Sequence, residues 1–279
     1  MEYKIKIPNI PNMGDLLNKE MLESVFQVEI VNVCNIYESN MSGIGSYLSY
    51  LLYSGNLKSR IKQKILRYFT SKDYYIWGTG FINYPMIPDN EFRFRRIHVC
   101  SLRGQLSKER VEKILGKTLE VPLGDGGLLV DRWVESNIQK KYDIGIIPHF
   151  KEQNSPIINE LKNTYPNSVV INLRDTPKDV VRQIASCRTI LSSSLHGLIV
   201  SDSFHIPNRH IMLYGFGEKA LGDGYKFADY YSSFGIQDKP LKLYEGNNYP
   251  TVDDIIRDYQ IDGKAVEEKK EQIFKAFPR

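Results

Sequence analysis

Apolar and polar positions alternate from the first residues of the chain. Tyr3, Ile5 and Ile7 interleave with Lys4 and Lys6, the period of a half-buried strand, and Pro8 ends the run. A loop over 9–14 leads into a helical period from Leu16 to about Phe26, with Asp15 placed to cap its start. Short apolar runs follow at Val28–Val33, Tyr74–Trp77 and Ile97–Val99, and Ser107 is placed to cap a helix that ends near Leu115, with Gly116 just past its end. A second series begins near Tyr142. Asp143–Ile147 reads as a strand stopping at Pro148-His149, Ile157 to about Asn163 as a helix, and Ser168–Leu173 as a strand. Thr176-Pro177 opens a helix reaching about Cys187, and Thr189-Ile190-Leu191 closes a buried strand ahead of the helical run that contains Leu198–Phe204. The tail, Val252–Phe277, has the pattern of charged amphipathic helices broken at Asp262-Gly263.

Strand, polar turn and helix in repeated alternation predict an α/β protein with open parallel sheets that bind ligands at the carboxyl ends of their strands. The length of 279 residues accommodates two such units. We place them at 1–138 and 139–279, the second ending in the terminal helices. An apolar fraction of 42% with 25% charged residues is that of a globular chain, so extensive disorder is not expected. A net charge of +4 does not call for nucleic acid as a partner. Cys34, Cys100 and Cys187 are isolated from one another, which predicts buried thiols and neither a disulfide framework nor a metal site. The N-terminus lacks the apolar core of a signal peptide, and no run approaches the ~18 apolar residues of a membrane span, so a cytoplasmic location is expected.

Chemistry concentrates at the turns. Ser192-Ser193-Ser194-Leu195-His196-Gly197 lies between a strand and a helix, where unpartnered backbone N–H groups and the helix dipole favour an anion, here with a titratable group alongside. Arg103 follows the strand Ile97–Val99 and His149 follows the strand 143–147, the same topological address; a guanidinium there can hold a carboxylate or phosphate with two hydrogen bonds. Lys226 stands among aromatics in the segment 222–231 and can reach an anion. Asn12-Met13-Gly14-Asp15 and Gly43-Ile44-Gly45-Ser46 are small-residue turns that lack a complete dinucleotide fingerprint or a phosphate-loop lysine. His98, His205 and His210 have no comparable setting and read as structural. The run Leu57–Arg67 is a basic helix with Leu57, Ile61, Ile65 and Phe69 on one face. A solvated helix packed on the core is the favoured reading, with an anionic membrane surface as the alternative.

Taken in order, these turns resemble the polysaccharide pyruvyl transferase family. The resemblance rests on Asn12-x-Gly14-Asp15-x-x-Asn18, Gly43-x-Gly45-Ser46, Arg103-Gly104, Gly124-Asp125 with Leu128-Leu129, Ile147-Pro148-His149, and Ser192 to Gly197 followed by Asp202 and Ile206-Pro207. It departs at Gly126, where relatives often carry proline. The resemblance implies two Rossmann-like domains in a GT-B-like arrangement, with the site between them. It also implies transfer of a pyruvyl group from phosphoenolpyruvate to a sugar, free or lipid-linked, as a ketal; no cofactor is expected, and no metal-ligand cluster is evident in the sequence. His196 maps onto the catalytic histidine. Arg103 and Lys226 map onto donor-holding basic residues, while Ser193, Ser194, His149, Asn12 and Asp15 complete the candidate substrate site. A lipid-linked acceptor would put the protein at the inner face of the membrane. A GT-B-like glycosyltransferase using a nucleotide sugar, and a catalytically silent carbohydrate-binding protein, are the alternatives.

Overall fold

The computed structural model describes residues 1–8, 13–52, 57–69, 72–85, 91–135, 137–214 and 223–279, without the side chains of Leu57, Arg67 and Phe69. Among the described residues, ten short parallel strands form the sheets. In the first half, β1 (Glu2–Ile5) pairs with β2 (Glu29–Asn32), and β3 (Met41–Ser42), β4 (Asp73–Ile76) and β5 (Arg96–Val99) form a second set. Asn40 joins the sets: its N–H donates to the Lys4 carbonyl at 2.9 Å and its side-chain oxygen accepts from the Lys4 N–H at 2.6 Å. The resulting order is β2-β1-β3-β4-β5. In the second half β6 (Tyr142–Ile147), β7 (Ser168–Val170), β8 (Cys187–Ser192), β9 (Asn208–Leu213) and β10 (Leu241–Leu243) assemble as β10-β9-β8-β6-β7. Counted along the chain, both sheets place their first strand between the second and the third. Each therefore reverses strand order at one point, the Rossmann-like pattern that opens a crevice at the carboxyl edge.

Helices follow the strands as the pattern predicts, with local differences. Helix α1 spans Met13–Phe26, so Asp15 lies inside its first turn rather than capping it. Between β3 and β4 runs α2 (Leu57–Phe69). Helix α3 spans Gln105–Leu115 and ends as expected on Gly116 in the left-handed region, φ 65°. Its start is not capped by Ser107, which sits buried in the first turn; Gly104 holds the cap position and the capping oxygens come from a distant carboxylate, described below. In the second half α4 (Pro156–Thr164), α5 (Pro177–Ala185), α6 (Leu195–Ser203) and α7 (Tyr225–Ser232) complete the α/β units. Helix α5 begins after Thr176 with proline in its first turn, as expected, and stops short of Cys187, which starts β8. The tail is two helices, α8 (Val252–Asp258) and α9 (Gly263–Lys275), with Asp262 capping the second through the Lys264 N–H.

One apolar cluster runs through both halves. Met13 and Leu17 of α1, and Leu128 and Leu129 of a 3₁₀ turn, join Ile147, Leu195 and Leu198 in it. Helix α9 carries the chain back onto the first half. The Trp77 indole N–H donates to the Ile273 carbonyl at 2.8 Å, and Phe26 stacks on Phe277 with ring centroids 3.7 Å apart. The departure at Gly126 has a local cause. A Cβ there would lie 2.5 Å from the Trp77 ring, and the Gly126 N–H, which proline lacks, donates to the Gly78 carbonyl at 3.2 Å.

Candidate active site

Between β8 and α6 the three serine hydroxyls divide their work. Ser192 Oγ donates to the Ser194 carbonyl at 2.9 Å and accepts from the Ser194 N–H at 3.0 Å, which folds the turn on itself. Ser193 Oγ donates to Glu152 Oε2 and accepts from the His149 N–H at 2.9 Å, so it ties the end of β8 to the end of β6. Ser194 occupies the cap position of α6 without a side-chain capping bond and lines a cavity of about 390 Å³. Ser193 is fully buried and does not line it.

That cavity also takes in Pro8 beyond β1, Gly45 and Ser46 beyond β3, His149 beyond β6, and Leu195 and His196 at the start of α6. It therefore sits at the carboxyl edges of both sheets, at the two points where strand order reverses. Asp15, Tyr47 and Lys226 add polar groups to its wall. Tyr47 donates its phenol to Asp15 Oδ1 at 3.2 Å, and Asn18 fastens the loop beyond β3 by donating to the Ile44 carbonyl at 2.7 Å. Asn12 lies outside the described residues.

The histidines separate into two kinds. His98, His205 and His210 each meet a carboxylate, Asp73, Glu267 and Asp238, at 2.7, 2.8 and 2.9 Å. His196 and His149 have none and face cations instead. Burial first, then Lys226, Arg103 and His149, pushes His196 down to about 3. Burial, then Lys226 and Lys151, does the same to His149, also to about 3. Both rings are neutral at physiological pH, and Nε2 of His196 is buried without a hydrogen-bond partner among the described residues. Lys226, on the first turn of α7, makes no ion pair among the described residues; burial and the Arg103 charge lower it to about 8. A second cavity of about 350 Å³ lies beside β9, but its buried histidine, His210, is already committed to Asp238.

Arg103 occupies a different place from the one its sequence position suggests. It is fully buried behind the cavity wall. Its Nε–H donates to Asp229 Oδ2 at 2.9 Å, and its terminal nitrogens donate to Ser46 Oγ at 2.8 Å and to the Phe81 carbonyl at 2.5 Å. Asp229, from α7, also accepts from the Ser107 N–H and hydroxyl at 2.8 and 2.6 Å, which supplies the cap of α3. Gly104 permits this approach, because a Cβ there would lie 1.6 Å from the Asp229 carbonyl oxygen. Arg103 thus anchors the helix that carries Lys226, and its charge is felt at both Lys226 and His196 without reaching the cavity surface.

Sequence reasoning missed Glu152. It follows His149 by three residues, is fully buried, and its carboxyl is pushed up to about 7 by burial. A buried acid beside a histidine turn marks a functional-site candidate on physical grounds.

Residues 126–212 match the family model of polysaccharide pyruvyl transferase. The matched segment begins at the 3₁₀ turn Gly126–Arg132 and contains His149, Glu152, Ser192–Ser194 and His196. An uncharacterized protein of Acanthamoeba polyphaga mimivirus is 26% identical over 279 aligned residues, covering 94% of this chain and 86% of that protein.

Proposed function

We propose that this protein transfers the pyruvyl group of phosphoenolpyruvate to a sugar of a surface polysaccharide or its precursor, forming a pyruvate ketal. In this reading residues 1–138 and 139–279 act as two α/β domains in a GT-B-like arrangement, with the reaction in the cavity at their carboxyl edges. The observation that carries it is the cationic cavity around a neutral imidazole whose buried Nε2 has no partner among the described residues: His196 with Lys226 beside it, at the start of α6.

Phosphoenolpyruvate brings a phosphate and a carboxylate. The N-terminus of α6 with Ser194 suits one anion and Lys226 the other. Arg103 and Ser193 support these from behind, one by its charge and the other by holding the turn. Ketal formation needs a hydroxyl oxygen to bond to the central carbon of the donor as a proton reaches its methylene carbon. A second hydroxyl then displaces phosphate, and its proton leaves with it. Burial and the neighbouring cations keep His196 neutral, the state that accepts a hydroxyl proton. The two anions of the donor oppose the burial that depresses its pKa, which readies the imidazolium to return that proton. In this reading Asp15, bonded by Tyr47, accepts from an acceptor hydroxyl, and His149 lines the same cavity.

The test is phosphate release from phosphoenolpyruvate across a panel of sugar acceptors. His196→Ala abolishes release while circular dichroism stays unchanged; near-normal turnover in that variant would sink the assignment. Thermal-shift titrations separate donors, with stabilisation expected from phosphoenolpyruvate and not from nucleotide sugars.

A further inference from the structure

Helix α2 breaks the rule that a crossover helix buries its apolar face against the sheet. Of its described side chains only Gln63 is buried, at 8% exposed, whereas Ile61 is 51%, Ile65 54% and Tyr68 70% exposed. This reverses the favoured sequence reading of a helix packed on the core by its isoleucine face. At about 100° per residue, Ile61, Ile65 and Tyr68 form one stripe, with Gln63 and Ser59 on roughly the opposite side. Lys58 and Lys62 flank the stripe on one side and Lys64 on the other.

Charge decides what such a face fits. Residues 57–69 contain five lysines and arginines and no acidic residue, while the whole chain is only +4; the rest of the protein is therefore one charge negative. The Arg95 guanidinium, 5.5 Å from the Tyr68 ring centroid, adds a further cation beside the stripe. A second copy docking face to face would oppose five positive charges to five. Nucleic acid would accept the lysines but leave the isoleucines in water. An anionic lipid surface accepts both: isoleucines enter the acyl boundary while lysine stems lie along it with their ammonium groups at the phosphates. A helix of this length would lie on such a surface without crossing it. Its 13 residues extend about 20 Å, against ~30 Å of hydrocarbon, and no helix among the described residues is long and apolar enough to span.

We propose that α2 docks this protein peripherally on anionic membranes through the Ile61–Ile65–Tyr68 stripe and its flanking lysines. The docking stands independently of the pyruvyl-transfer reading, because it uses no residue of the cavity.

The test is flotation of the full chain with phosphatidylcholine vesicles with and without about one-third phosphatidylglycerol, at low and high salt, with no donor or acceptor present. Wild-type protein floats with the anionic vesicles at low salt, stays behind with neutral ones, and is released at high salt. Lys62→Gln with Lys64→Gln lowers partitioning about thirty-fold, the factor corresponding to about 1 kcal/mol per basic residue near an anionic leaflet. Ile61→Ser with Ile65→Ser lowers it roughly tenfold or more, with the melting temperature of both variants within about 2 °C of wild type because the replaced side chains are exposed. The proposal is overturned if wild type ignores anionic vesicles, if both variants bind as wild type does, or if sedimentation shows a dimer that the serine variant dissolves. Loss of phosphate release in any cavity variant leaves flotation unchanged, so the two readings fail separately.

Discussion

The imidazole of His196 rests on the α-carbon of Gly14, so closely that a Cβ built there would stand 2.1 Å from Nδ1. One residue belongs to the first turn of α1 and the other to the first turn of α6, so this contact sets the ring's position across the junction of the two halves. Gly14→Ala therefore displaces the ring. Alanine favours the helix by about 1 kcal/mol while overpacking costs about 1–3 kcal/mol, so the net loss of stability is about 0–2 kcal/mol. A misplacement of about 1 Å at a reacting group costs about a hundredfold in rate. We expect kcat for phosphate release to fall by about that factor, with the melting temperature lowered by no more than about 8 °C. Full activity in Gly14→Ala would remove the contact from the mechanism.

Arg103 and Asp229 are both wholly buried and bonded to each other, and each also holds backbone or hydroxyl groups of separate segments. Removing one member of such a pair leaves an uncompensated buried charge, worth about 3–5 kcal/mol. Arg103→Ala is expected to lower the melting temperature by roughly 6–20 °C, given about 2–4 °C per kcal/mol for a chain of this size. The double variant Arg103→Met with Asp229→Asn, which removes both charges, loses clearly less than the sum of the single losses. Additive losses in that cycle would show that the pair is not coupled.

How far the fold was legible follows from which residues act locally. The alternating burial of Tyr3, Ile5 and Ile7, the Thr176-Pro177 start of α5 and the Gly116 stop of α3 are decided by neighbours in sequence and stand as read, although strand β1 ends at Ile5 and does not run on to Pro8. Strand β3 has only two residues, too few for a period, and its place is fixed by Asn40 bonding to Lys4. The address of His149 and His196 at strand ends was legible because topology alone puts strand ends at a crevice. The burial of Arg103 was not, because its partner lies 126 residues away. Glu152 carried no motif; its meaning comes from Ser193, 41 residues on, and from the loss of water around it. The exposed stripe of α2 has the same period as a core-facing one, so its orientation is a property of the packing and not of the pattern.

Lys226 should give activity an alkaline limb. Its ammonium, lowered to about 8, is charged below that pH and neutral above it. Attraction for a donor anion is therefore present at neutral pH and fades as pH rises through 8. We expect kcat/KM for phosphoenolpyruvate to fall above that value. Lys226→Arg keeps a cation that does not titrate in range and moves the limb upward, whereas Lys226→Met lowers kcat/KM already at pH 7. A profile with the same alkaline limb in the arginine variant would assign it to another group.

Glu152 offers a complementary test through stability. Burial raises its carboxyl from the ordinary 4.5 to about 7, although the Ser193 hydroxyl and the Lys226 charge pull it back. Between those values the folded protein holds a proton that the unfolded chain has released, so the contribution of this group to stability falls as pH rises from 4.5 to 7 and stays lost above it. The full difference is about 3 kcal/mol at 1.36 kcal/mol per unit. Glutamine keeps the shape of the side chain and does not titrate. Urea unfolding of Glu152→Gln against wild type should thus show the difference moving in favour of the variant by about 3 kcal/mol between pH 4.5 and pH 8. The same difference at both pH values would show that the carboxyl is ionised throughout, and the buried acid beside the His149 turn would lose its proton-holding role.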